Sequence, residues 1–248
     1  LVLERDYMYT LVNDTLVDGL IAAPSANSEG VYREIIGSVP VVFFDRFYES
    51  LAVPSVVIDN KDIVFRATQY LVEMGHRSIC FVSGNEAIHT GKSRTDGFKE
   101  AIKLLGLDPG RCSIVQGHFK EPEAYEATKK ALKSNDFTAV IASSNKTTLG
   151  VMRALRDANL SIPADVSVIG FDNHDWMEIS NPPITTVEQP ATTMGILAAS
   201  LLLQQIQGTS SPEKVVLKAE IKKRQSVGRV DGRKSRAAQR RNKAANIS

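Results

Sequence analysis

The chain has 248 residues, 43% hydrophobic and 23% charged, ordinary for a globular protein and long enough for one large domain or two lobes of about 100 residues each. No apolar run approaches the ~18 residues of a membrane span, and the N-terminal LVLERDYMYT lacks the basic start and apolar stretch of a signal peptide. The net charge of +2 is unevenly spread: residues 231–248 carry six cations against Asp231, a net of +5, which leaves −3 on the rest and argues against a folded body built to attract nucleic acid.

Apolar strands alternate with helical patterns along most of the chain. Predicted strands are Gly19–Ala23, Pro40–Phe44, Ser55–Ile58, Ile79–Ser83, Ser113–Val115, Ala139–Ala142 and Val166–Phe171. Between them run helical stripes: Ile63, Val64, Ala67, Thr68, Leu71 and Val72; then Phe98, Ala101, Ile102 and Leu105; then Leu149, Met152 and Leu155; then Met194, Leu197, Ala198, Leu201, Leu202 and Ile206. Short continuous apolar strands interleaved with amphipathic helices predict a parallel sheet covered on both faces. Gly75 ends one helix, and Glu121 and Glu123 around Pro122 open another, their charge suiting its positive end. After Gly208 the run VVLKAEIKKRQSV alternates like edge or antiparallel strands, and the basic tail has the composition of a disordered segment.

In open parallel sheets, ligands bind beyond the carboxyl ends of the strands. Asp172 follows the strand ending at Phe171, Ser143 to Asn145 follow Ala142, His118 and Phe119 follow Val115, and Arg94 opens the helix after Ser83. A carboxylate, small polar groups, an aromatic ring and a guanidinium suit a polyhydroxylated ligand, which takes bidentate hydrogen bonds on its hydroxyls and ring contact on its C–H face. Asn145 equally suits a helix N-cap. His76, at a helix end, suits bonding to the last carbonyls.

Other chemistries find no support. There is no GxGxxG, GxxxxGK[ST], GxSxG or HExxH, and the four histidines have no spacing that puts two on one helix face as metal ligands. Cys80 and Cys112 form no CxxC pair, Cys80 reads as a small core hydrophobe, and a reducing compartment fits. No catalytic residue, cofactor or metal site is therefore expected.

LVEMGHRSICFVSG, SRTDGFKEAI, IPADVSVIGFDN and NPPITTVEQPATTMGILAASLLL, with VDGLIAAPS, PVVFFDR and SVVIDNKD upstream, resemble in order and spacing the effector-binding core of LacI-type transcriptional regulators over roughly residues 4 to 227. The resemblance implies an α/β fold of the periplasmic-binding-protein-like type I: two doubly wound parallel-sheet lobes with a ligand cleft. The implied partition is 1–76 plus 189–210 for the first lobe and 77–188 plus 211–229 for the second, with 230–248 as the tail. The chain begins with Leu1, at what resembles the first lobe's second helix. The first lobe is accordingly expected to be incomplete, its first strands and a DNA-binding headpiece lying upstream in a longer protein.

Carried over position by position, Arg94 in RTDGF matches the arginine that binds effector hydroxyls or carboxylates, Asp172 in GFDN matches the acid of the cleft, and Phe119 in QGHFKEPEAY matches the ring that packs on the ligand. Gln189 and Asp62 fall at cleft-lining positions. The family's common "ND" pair reads Ser144–Asn145 here, so a carboxylate has become a neutral amide. Trp176 falls at the cleft mouth or the lobe seam. The resemblance implies a cytoplasmic homodimer that senses a small sugar-like effector and controls binding to operator DNA, with no membrane partner. The alternative is a periplasmic-type sugar-binding protein for transport, which shares the fold.

Overall fold

The computed structural model describes residues 2–14, 17–209 and 212–230; the basic tail lies outside the described residues. The elements follow in the order α1 (Val2–Asn13), β1 (Leu20–Ala22), α2 (Glu29–Ile35), β2 (Val41–Phe44), β3 (Ser55–Ile58), α3 (Asn60–Glu73), β4 (Ile79–Ser83), α4 (His89–Leu104), β5 (Ser113–Gln116), α5 (Glu121–Ser134), β6 (Ala139–Ala142), α6 (Asn145–Asp157), β7 (Ser167–Phe171), α7 (Asp175–Ile179), β8 (Thr185–Glu188), α8 (Ala191–Ile206), β9 (Lys214–Leu217) and β10 (Glu220–Lys222). They pack into two compact units. Among the described residues, the first holds those up to Asp59 with Ala87–Thr90 and Gln189–Ala219, and the second holds Asn60–Glu86, Gly91–Glu188 and 220–230.

The first unit's sheet runs β1-β2-β3-β9, all parallel. Its core joins Leu20, Tyr32, Ile35, Val41, Phe43 and Val57, and α1 docks on it through Met8, Leu11 and Val12. Helix α8 packs on this sheet through Met194, Ala198 and Leu201; Ile206, placed in its apolar stripe by periodicity, is 45% exposed.

The second unit's sheet runs β10-β8-β7-β6-β4-β5, parallel except for the antiparallel edge strand β10. Every residue of β4, β6 and β7 is buried. Helices cover both sides of such strands, so neither face needs polar residues and the sequence reads as a continuous apolar run. Helix α3 belongs here rather than with residues 1–59, because it packs on β6 and β10; Ile63, Val64, Ala67 and Leu71 are its buried apolar residues.

Two local readings change. In α6 the buried residues are Thr147, Thr148, Gly150, Val151, Ala154 and Leu155. Leu149, expected in the stripe, is instead 37% exposed, since the two small threonines and Gly150 let neighbouring elements approach on the other side. His76 is fully buried and bonds Thr138 Oγ1 at 2.8 Å and the Gly228 carbonyl at 3.1 Å, whereas Arg77 supplies the donor to the helix-end carbonyl of Val72. Strand β8, with the sequence TTVE, has too short a run to stand out from the loop before it. Cys80 is buried in β4, as a small hydrophobe.

Candidate functional site

At the carboxyl edge of the second unit's sheet, four strand ends bring their residues together around Arg94. Only 4% of Arg94 is exposed. Its Nε donates to Asn60 Oδ1 at 2.7 Å, and Nη1 donates to the Ser143 carbonyl at 2.5 Å. The guanidinium carbon lies 3.8 Å from the centroid of the Phe171 ring and 5.9 Å from that of Phe119. A buried charge is tolerable only when hydrogen-bonded and compensated, and here two oxygen acceptors and a ring face serve. Ring faces attract guanidinium through their quadrupole, so the side chain is fixed as a flat platform beside the strand ends.

Asp172 follows Phe171 directly. Its backbone turns into the left-handed region, φ 80°, and Asn173 continues there at φ 43°. Its N–H still donates to the Val187 carbonyl of β8 at 2.8 Å, the last rung of the ladder. Its carboxylate Oδ2 accepts the backbone N–H of Asn145 at 3.0 Å. That N–H is one of the unpaired donors at the start of α6, where negative charge is favoured. The acid at the end of an apolar strand is thus tied to the neighbouring helix.

Ser144, not Asn145, is the N-cap of α6. Its hydroxyl accepts the N–H of Thr147 at 3.2 Å, and the Thr147 hydroxyl accepts the Ser144 N–H at 2.7 Å, a reciprocal box. Asn145 is therefore the first helical residue, and its side-chain oxygen accepts the indole N–H of Trp176 at 2.9 Å. Phe119 sits after β5 with φ 60°, following His118 at φ 51°. Its ring edge lies flush on the backbone of Gly84, where a Cβ atom would stand 2.0 Å from Phe119 Cζ.

Arg94, Phe119, Ser144, Asn145 and Asp172 thus share one corner of the second unit. Asp62 is on the first turn of α3, two residues beyond Asn60, with its carboxylate bonded to Arg66 at 2.6 Å. Gln189 lies in the first unit. Sequence reasoning passed over Asn60, Phe171 and Gly84, which hold Arg94 and Phe119 in place; the strand-end rule, applied to β3, points at Asn60. In the first unit the same rule points at Asp45, which follows β2 with φ 63° and whose Oδ1 is buried without a hydrogen bond among the described residues. Arg46 Nε lies 3.5 Å from its other oxygen.

The described residues hold no group of three or more His, Cys, Asp or Glu side chains placed to bind a metal ion, and no helix long and apolar enough to cross a membrane.

Residues 68–227 match the family model of the periplasmic binding protein-like domain. The chain is 32% identical to the HTH-type transcriptional regulator MalR of Streptomyces coelicolor and 34% identical to the catabolite control protein A of Priestia megaterium, over 89% and 80% of its own length. It spans 65% and 62% of those proteins. Among solved structures it is similar to a LacI family transcriptional regulator from Enterococcus faecium with bound ribose, with a TM-score of 0.83 and 28% identity, covering 91% of this chain and 84% of that one. It is also similar to a transcriptional regulator CelR–cellobiose complex, with a TM-score of 0.82 and 30% identity, covering 90% and 70%. The fold, the family match and these relatives agree: the chain belongs to the periplasmic binding protein-like domain family, on the branch of the LacI-type transcriptional regulators.

Proposed function

We propose that this chain is the effector-sensing part of a DNA-binding transcriptional regulator, and that its effector is a small sugar or sugar derivative held at the carboxyl edge of the second unit's sheet. One observation carries this: a guanidinium pinned against Phe171, a ring at Phe119 and the Asp172 carboxylate converge where strand ends leave the sheet. Planar charged groups match vicinal hydroxyls, and a ring face matches the C–H surface of a sugar. The regulators among its relatives, two of them solved with ribose and cellobiose, favour this reading over a transport receptor. We assign the chain no catalytic step, cofactor or metal.

Asp62 is assigned to the same ligand, beyond the contacts of the Arg94 corner. The effector works by binding one conformational state better than another, since a ligand shifts an equilibrium only by its differential affinity. The regulator acts as a homodimer on operator DNA in the cytoplasm, through a helix-turn-helix headpiece. Calorimetric titration with a sugar panel that starts from ribose and cellobiose tests the site. At least one sugar binds the wild type, and Asp172→Ala weakens that sugar by about tenfold or more, the worth of one charge-assisted hydrogen bond. Unchanged binding by the variant overturns the placement.

A further inference from the structure

Helix α7 turns some residues inward and one outward. Met177 is fully buried and Trp176 half-buried against the core of the second unit. Ile179 is 84% exposed, more than any other large hydrophobic residue among those described. A single exposed apolar residue is ordinary, but this one stands beside a groove. Asn181 and Pro182, just beyond it in sequence, line a groove of about 560 Å³. Its apolar lining comes from Leu149 and Met152 of α6 with Leu160 and Ile162. Arg153 and Arg156 of the same helix line it too. Arg153 pairs with Glu121 and Arg156 with Asp157, yet both guanidinium side chains stay largely in solvent. Next to the isoleucine, the Glu178 side chain is also exposed, though bonded to Arg224 at 3.2 Å.

We propose that this face is where two copies of the chain meet: Ile179 of each enters the groove of the other, with Glu178 facing the arginines of the groove it meets. The chain supplies both halves of the contact. An apolar knob adjoins an apolar groove, and the acid beside the knob is opposite in sign to the two arginines. Because knob and groove are neighbours on one face of the second unit, a two-fold axis lets each copy give and receive. The pairing then closes as a dimer instead of running on as a filament. Knob and groove are also fixed to one another: Ser180 Oγ bonds the Met177 and Pro182 carbonyls, each at 2.9 Å. Such a contact needs little ordering when it forms. This gives the homodimer of the preceding reading its surface and rests on that reading, but not on the Arg94–Asp172 corner.

Sedimentation of the full chain over a range of concentrations tests it, on wild type, Ile179→Lys, Arg156→Glu and the double variant. Wild type is a dimer. Ile179→Lys sets a cation against the arginines of the groove and raises the dissociation constant by about a hundredfold or more, since two-fold symmetry spoils the contact twice. Arg156→Glu sets an acid opposite Glu178 and weakens the dimer by about tenfold. In the double variant the lysine meets the new glutamate, and about tenfold or more of the Ile179→Lys loss returns. Both positions are exposed, so thermal melts of the dilute variants match that of dilute wild type. If Ile179→Lys does not fold, Arg156→Glu decides alone. An Ile179→Lys or Arg156→Glu protein that dimerises as tightly as wild type overturns the inference and leaves the homodimer to another face. A double variant no tighter than Ile179→Lys overturns the knob-in-groove pairing as well. A wild type that is monomeric throughout overturns the homodimer reading and this inference with it.

Discussion

Arg94 is held in place by groups of the protein itself. Its hydrogen bonds to Asn60 and the Ser143 carbonyl reach 34 and 49 residues away in sequence, and hydrogen bonds from a charged donor are worth about 1.5–3 kcal/mol each. Such preorganisation reduces the ordering cost of binding. Phe119 is placed by a different device, the missing side chain at Gly84. Gly84→Ala puts a methyl group where the ring now lies, and the half-exposed ring swings off its seat. The expected outcome is a tenfold weaker effector, about 1.4 kcal/mol, with the melting temperature almost unchanged, read by titration and a thermal melt side by side. A melt lowered by many degrees with affinity retained would show that the ring is a core residue. The strand-end rule pointed at Asp172 from sequence, whereas Arg94, expected to open its helix, lies in the second turn of α4. The partners that aim them were not legible there, because nothing local to Asn60, Gly84 or Trp176 announces a neighbour several elements away.

Among the elements, α1 adds polar ties to its apolar packing. Glu4 Oε1 accepts the Tyr32 hydroxyl at 2.8 Å and the Ser25 N–H at 3.2 Å, and Tyr9 donates to Glu34 of α2. Burial pushes the Glu4 carboxyl up, but the hydrogen bonds from Ser25 and Tyr32 outweigh it and hold it below the ordinary 4.5. Burial first, and then the Glu4 carboxylate, push the Tyr32 hydroxyl far up, so it stays a donor. A depressed carboxyl contributes stability that is present above its unfolded value and lost as pH falls through the folded one. The protection of amides in residues 2–13, measured against their intrinsic exchange rates, therefore falls below pH 4.5, ahead of that in β4 and β6. Glu4→Gln removes that acid dependence and costs under about 1 kcal/mol at neutral pH, since the carboxylate is partly solvated. Protection of α1 that stays level as the wild type is acidified contradicts this. Helix α6 carries the matching lesson: its periodicity identified a helix, but which side was buried depended on the close approach of other elements to Gly150 and the threonines.

Over the whole molecule, an effector that binds only the folded state stabilises it by mass action, about 2.7 kcal/mol at a hundred times its dissociation constant. At about 2–4 °C per kcal/mol for a chain of this size, the melting temperature rises by several degrees with the sugar that titration identifies. Asp172→Ala loses most of that rise at the same sugar concentration, and an equal rise in both proteins argues for binding elsewhere. The sequence by itself determined the fold class, the strands from β1 to β7 and the chemistry at their ends, because period and composition are local properties set by which faces a strand or helix must bury. Tertiary structure alone decided the partners. Strands β9 and β10 are separated only by Lys218 and Ala219, yet β9 pairs in parallel with β3 in one sheet and β10 antiparallel with β8 in the other. A strand's own residues specify an edge that needs hydrogen bonds. Which distant edge supplies them is fixed only when the cores on either side of the chain have formed.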